Sequence, residues 1–208
     1  MSDLFCAATV VFARHADAEY VDRCFSDEGG TLTTAGREQA VALADALATR
    51  RVAKVCCSDS SRAVQTAQIA AGRLGVTLMA RKALREIHIG DLLGTPFDVA
   101  RLREVTDHWA EGDLAATFPG GESGVDVVDR YRDQLGEIAD QHRGETVLVV
   151  GHESAACVAL SAIADNVHPP YGDDLRHLRN GETVELMIDA DGVRLLRWGE
   201  ARFPVTSG

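Results

Sequence analysis

The sequence predicts an α/β fold, a three-layer α/β/α sandwich around a mostly parallel central sheet, on three observations. Two short β-branched runs almost free of charge, at 7–12 and 146–151, read as strands buried on both faces of a parallel sheet. Segments of helical period alternate with strand-like ones along most of the chain. Two further strand-like runs then close it, joined by the hairpin-like turn Asp189-Ala190-Asp191-Gly192, which adds an antiparallel C-terminal edge.

The elements follow in order. The first strand ends at Arg14-His15, and a polar, glycine-containing loop covers 16–31. Ala40, Leu43, Ala44 and Leu47 recur at helical spacing, predicting a helix over about 33–49. A strand at 52–57 runs into Ser58-Asp59-Ser60, three good N-cap residues, and the next helix shows Val64, Ala67, Ala71 and Leu74 on one face. A short strand is expected at 76–80 and a helix from Pro96 to Trp109. Pro119-Gly120-Gly121 breaks the chain, and Glu122 or Ser123 starts a helix with Val128, Tyr131, Leu135 and Ile138 inward. A strand at 145–151, an alanine-rich helix at 154–164 and strands at 183–188 and 193–198 complete the fold.

A chain of 208 residues without a Pro/Ser/Gly-rich linker suits one domain, 1–208, in which about 88–121 forms a helical cap. A formal charge of -11 disfavours a nucleic-acid partner or an anionic membrane surface. A small anion remains compatible, because a local arginine cluster outweighs distant charge within a Debye length of about 8 Å. No apolar stretch reaches the roughly 20 residues a membrane span needs, and the first residues lack a basic segment before an apolar one. The cysteines at 6, 24, 56, 57 and 157 form no CxxC and read as reduced, mostly buried residues of a cytoplasmic protein.

In open α/β sheets the ligand crevice lies beyond the carboxyl ends of the strands. Arg14, His15 and His152 stand at such ends. Arginine presents a planar fork of donors that grips phosphate oxygens, and a neutral histidine can attack phosphorus. Arg62 opens the helix after the second strand, where free N–H groups also favour an anion. Glu86, in Leu84-Arg85-Glu86, is the candidate proton donor for a leaving oxygen. Taken singly, each has an ordinary reading as a surface charge or a packed, hydrogen-bonded histidine.

Taken together they carry a resemblance. Val11-Phe12-Ala13-Arg14-His15, Leu32 to Ala40, Ser58 to Ala67, and Leu84-Arg85-Glu86 with Gly90 and Gly94 are followed by Gly120-Gly121-Glu122-Ser123 and Val149-Val150-Gly151-His152. This ordered set resembles the histidine phosphatase superfamily, in the branch of cofactor-dependent phosphoglycerate mutases and related phosphatases. The resemblance implies a phosphoglycerate-mutase-like fold, with His15 as nucleophile and Glu86 as general acid and then base. It implies that Arg14, Arg62 and His152 line the phosphate pocket. Ser26, reached across an alignment gap, matches a loop residue that touches phosphate. It further implies a small phosphorylated substrate, no cofactor and no metal, and it is compatible with a homodimer.

Two positions depart from the family pattern: Ala16 and Glu153 stand where glycines are common. A carboxylate facing the pocket would repel phosphate, so Glu153 is expected to point away or to meet a cationic part of the substrate. The short span between Glu86 and His152 resembles the phosphatases, since mutases carry a longer insertion there. The expectation is therefore a phosphomonoesterase acting on a small metabolite.

Four alternatives stand beside it. They are mutase-type transfer, a phosphoprotein (phosphohistidine) phosphatase, a silent phosphate-sensing module, and a nucleotide-binding fold. The last is disfavoured because neither GxGxxG after the first strand nor GxxxxGK[ST] occurs. His168, His177, Asp173 and Asp174 show no metal-ligand spacing and read as an exposed loop, while His88, His108 and His142 read as surface residues. Tyr20, Arg23, Trp109 and Tyr171 are candidate selectors of the leaving group.

Overall fold

The computed structural model describes residues 6–20, 24–26 and 29–204. Its main sheet has seven strands: β1 (Ala8–Arg14), β4 (Val52–Cys57), β5 (Thr77–Ala80), β6 (Thr146–Gly151), β7 (Thr183–Asp189), β8 (Gly192–Trp198) and β9 (Ala201–Arg202). Their spatial order is β5-β4-β6-β1-β7-β8-β9. The first four of these are parallel, and β7, β8 and β9 add an antiparallel edge. The expected sheet is the one found, one short strand longer than expected. A second sheet, the two-residue strands β2 (Ala18–Glu19) and β3 (Thr31–Leu32), lies within the stretch read as loop.

Alternation along the strands builds the layers. Val10 and Phe12 of β1, with Val147 and Val149 of β6, face one core, while Val11, Ala13, Leu148 and Val150 face the other. The first core is closed by α4 (Gly124–Gln141) and α5 (Glu153–Ile163), the second by α1 (Thr34–Leu47) and α2 (Ser61–Leu74). Gly151 is glycine for a packing reason: a Cβ there would lie 2.5 Å from the Phe12 ring, in a layer with no room to give.

The helix starts are set by caps. Thr33 accepts from the Gly36 N–H, and Ser123 with Asp126 forms a full capping box for α4. The third long helix, α3 (Val99–Ala110), starts later than Pro96 because Asp98 caps it, accepting from the Ala100 N–H. It supplies the helix of the 88–121 segment, which also contains a short 3-10 turn at Gly90–Leu92. Ser60 occupies the N-cap position of α2, but its hydroxyl makes no cap bond. It is used elsewhere, as the site shows.

All five cysteines are free; Cys56 and Cys57 are buried, whereas Cys6 and Cys24 are exposed. Among the described residues, no helix is long and apolar enough to cross a membrane.

Candidate active site

Strand register brings the two histidines together. β1 and β6 are parallel with Arg14 level with Gly151, so the next residue of each is a histidine at the same sheet edge. The His15 N–H continues the ladder to the Gly151 carbonyl at 2.9 Å, and the Ser58 N–H does so from β4 to the Val150 carbonyl. The two imidazole centroids are 5.3 Å apart.

Arg62, in the first turn of α2, joins them. Its Nε donates to His15 Nε2 at 3.1 Å, one terminal nitrogen to His152 Nδ1 at 3.1 Å and the other to the Gly29 carbonyl at 3.2 Å. Thr66 holds that turn, donating to the Arg62 carbonyl and accepting from the Ala16 N–H. The hydrogen bonds assign both tautomers. His15 Nδ1 lies 2.9 Å from the Ala16 carbonyl and must carry the proton, which leaves a lone pair on Nε2. His152 accepts at Nδ1 and donates from Nε2 to Ser58 Oγ at 2.9 Å, with Ser60 Oγ at 3.2 Å.

Both rings are held neutral. Burial pushes His15 down from 6.5 to about 3, and the cations of Arg62 and Arg14 push the same way against its bond to Ala16. Burial, then Arg62, drives His152 well below the ordinary histidine value. His152 is fully buried behind Arg62 and the serines. It bonds Arg62 through Nδ1 and stands edge-on to the His15 ring.

Arg14 presents two different edges. One terminal nitrogen donates to the Leu178 carbonyl at 2.8 Å and meets the Glu153 carboxylate at 2.5 Å. Its Nε–H is buried and has no partner among the described residues, an orphan donor of the kind a phosphate oxygen satisfies. Glu153 also accepts from the Leu178 N–H. It therefore neither points away nor stands free to meet a substrate cation, because it is engaged by Arg14. Ala16, the other departure, is fully buried against Leu32 and Ala40. Its φ is negative, since Arg51 alone among the described non-glycine residues has a positive φ, so alanine sits there without backbone strain.

Glu86 faces the N-terminus of α5. Oε1 accepts from the Ala155 N–H at 2.7 Å and from its neighbour Ile87 at 3.0 Å, and Oε2 accepts from the Ser154 N–H at 3.1 Å. One lone pair of Oε2 is left uncommitted, the place where a transferable proton would sit.

Arg14, His15, Ser26, Arg62 and Glu86 all line one cavity of about 1040 Å³. Of the expected selectors, Tyr20, Trp109 and Tyr171 line it as well, and so do Asp173 and His177. Trp109 is nevertheless a packing residue, 2% exposed with its indole N–H on the Ala116 carbonyl. Arg23 lies outside the described residues. Sequence reasoning missed Asn180, whose amide donates to the His15 carbonyl at 2.9 Å, and the site roles of Ser58, Ser60 and Thr66.

The chain is similar to known proteins. The model of the histidine phosphatase superfamily (branch 1) matches residues 10–201. Phosphoglycerate mutase-like protein 4 of Arabidopsis thaliana is 29% identical over 174 residues, covering 81% of this chain and 74% of its own. A glucosyl-3-phosphoglycerate phosphatase of Mycolicibacterium vanbaalenii is 37% identical over 135 residues, 64% of this chain and 60% of its own. Among solved structures, Bacillus stearothermophilus YhfR superposes with a TM-score of 0.76 at 28% identity, covering 94% of this chain and 98% of that one. The native mycobacterial glucosyl-3-phosphoglycerate phosphatase does so with a TM-score of 0.76 at 26% identity, covering 94% and 100%.

Proposed function

The chain belongs to branch 1 of the histidine phosphatase superfamily, and on that premise we propose that it is a metal-independent phosphomonoesterase acting through a phosphohistidine on His15. The observation that carries this reading is the His15 tautomer: Nδ1–H is bound to the Ala16 carbonyl, and a neutral Nε2 is turned toward Arg62.

An arriving phosphate dianion draws the Arg62 Nε–H from His15 Nε2 to a phosphoryl oxygen, which frees the lone pair for attack. The unpartnered Nε–H of Arg14 takes another oxygen. As the Nε2–P bond forms, the P–O bond to the alcohol breaks, and the alkoxide takes a proton from Glu86 Oε2. Water then attacks phosphorus, gives its proton to Glu86, and the P–N bond breaks to release inorganic phosphate. The guanidiniums supply the charge that stabilises the transferring oxygens, the main source of phosphoryl-transfer catalysis. His152 acts as a positioning residue that holds Arg62 in place.

Hydrolysis is favoured over mutase-type transfer by the charges of the cavity. A mutase must hold a bisphosphate, yet of the four arginines that line the cavity among the described residues, Arg14 is paired with Glu153 and Arg176 with Asp107. That leaves little positive charge for a second phosphate. The experiment is phosphate release from p-nitrophenyl phosphate in excess EDTA, by the native protein and by His15→Ala. Turnover in EDTA that vanishes in the variant supports the reading. Turnover that survives the substitution, or that needs a metal, overturns it.

A further inference from the structure

Exposed large hydrophobic side chains are concentrated at the mouth of this cavity. Among the described residues there are four: Tyr20 at 49% exposure, Phe97 at 60%, Val99 at 50% and Val125 at 46%. The first three line the cavity beside His15, and only Val125, on α4, does not. Scattered exposed apolar residues need no explanation, but three gathered at one site do.

They come from two separate segments, one following β2 and one leading into α3. Phe97 is fixed on one side by Phe25, at 4.9 Å between ring centroids, and is open on the other. Tyr20 lies under the Arg62 guanidinium, at 5.7 Å from its ring, so this apolar wall begins at the phosphate-binding arginine. Leu102 extends the wall along α3.

The charges of the same wall point the same way. Among the described residues, the cavity has two arginines beyond Arg14 and Arg62, namely Arg103 and Arg176, and Asp107 pairs with Arg176. Glu19 and Asp173 face the space as carboxylates. Among the described residues, a leaving group with a second phosphate or a carboxylate would be desolvated there with Arg103 as the one guanidinium beyond the phosphate site that no carboxylate pairs, against two like charges.

We propose that the substrate is the monophosphate of a bulky, uncharged, apolar alcohol, aromatic or hydrocarbon, whose carbon skeleton lies on Tyr20, Phe97, Val99 and Leu102. This rests on the reading of His15 and Arg62 as the phosphate site, because it is the continuity of that site with the apolar wall that selects a leaving group as its occupant.

The test is a series of n-alkyl monophosphates from ethyl to hexyl, whose leaving groups have nearly the same acidity and differ in apolar surface. Affinity is read by calorimetry on His15→Ala, so that it does not depend on turnover, and kcat/KM is read on the native protein. The expected result is a gain of up to about fourfold per buried methylene, with glycerol phosphate and phosphoglycerates well below hexyl phosphate. Phe97→Ser should cost hexyl phosphate about tenfold more than ethyl phosphate. A flat affinity series, or a preference for phosphoglycerates, overturns the proposal. A rising affinity series without native turnover sinks the phosphatase reading and leaves the apolar subsite standing. Light scattering supplies the remaining arm: a dimer that Phe97→Ser converts to a monomer would make this face a contact between copies and overturn the proposal.

Discussion

Glu153 sets a carboxylate oxygen 2.5 Å from the guanidinium of Arg14. The contact uses only one edge of Arg14. The Leu178 carbonyl and Glu153 hold one terminal nitrogen, and the buried Nε–H remains for a ligand. Glu153 therefore does two things at once. It fixes the orientation of the phosphate-gripping arginine, and it takes away part of that arginine's charge.

If the charge effect dominates, Glu153→Gln strengthens binding of the product. The glutamine keeps the shape and removes one negative charge beside the phosphate position. The pair is partly exposed, so screening reduces the gain, and the Ki for inorganic phosphate should fall about threefold to tenfold. Competitive inhibition of p-nitrophenyl phosphate turnover measures it. A Ki that rises instead would show that orienting Arg14 matters more than screening it.

The role of Glu86 is separable by leaving group. A p-nitrophenolate departs without help, whereas an alkoxide needs a proton. Glu86→Gln should reduce kcat on butyl phosphate by about 10²- to 10⁴-fold and on p-nitrophenyl phosphate by far less. The substitution also leaves one of three backbone N–H donors at Ile87, Ser154 and Ala155 short of an acceptor, which costs about 1–3 kcal/mol of stability. The ratio of the two rates is insensitive to that loss, because both substrates meet the same folded fraction. Equal losses on both substrates would remove Glu86 from the acid role.

The parts of this site that were legible in the sequence are those written in short-range pattern. The runs at 7–12 and 146–151 are apolar because both faces of β1 and β6 are covered, and their ends place His15 and His152. Arg62 is legible because a helix must start where β4 stops. What was not legible depends on where distant segments return. Asn180 and Leu178 reach His15 and Arg14 across more than 160 positions of chain, and no local period announces that. Ser58 and Ser60 look like caps, and only the packed structure shows their hydroxyls turned to His152. The hairpin of β2 and β3 has two residues per strand, too few for any alternation to register. The direction taken by Glu153 belongs to the same class, since it is decided by the neighbouring guanidinium and by the Leu178 N–H.

The buried histidines set a direction for acid behaviour. His15 titrates near 3 in the folded chain and at 6.5 when exposed, so between those values the unfolded chain binds the extra proton. Stability therefore rises with pH through that window, is lost as pH falls through it, and is unaffected by this group above it. His152, lowered for the same reason, acts with the same sign. Asp126 and Asp45, held below their ordinary 3.8 by the Ser123 cap and by Arg73, contribute stability above that value and lose it below, outside most of the histidine window. Urea unfolding at pH 4.5, 5.5 and 6.5 should then show a steady gain, partly removed in His15→Ala. Catalysis follows the same proton. Because His15 is already neutral at pH 5, kcat/KM should have no acid limb near 6.5 beyond that of the substrate's own second ionisation at about 6. Two substrates differing in that ionisation distinguish the sources. A limb that stays near 6.5 for both would mean that His15 is solvated in the working enzyme, and the neutral, buried nucleophile would have to be abandoned.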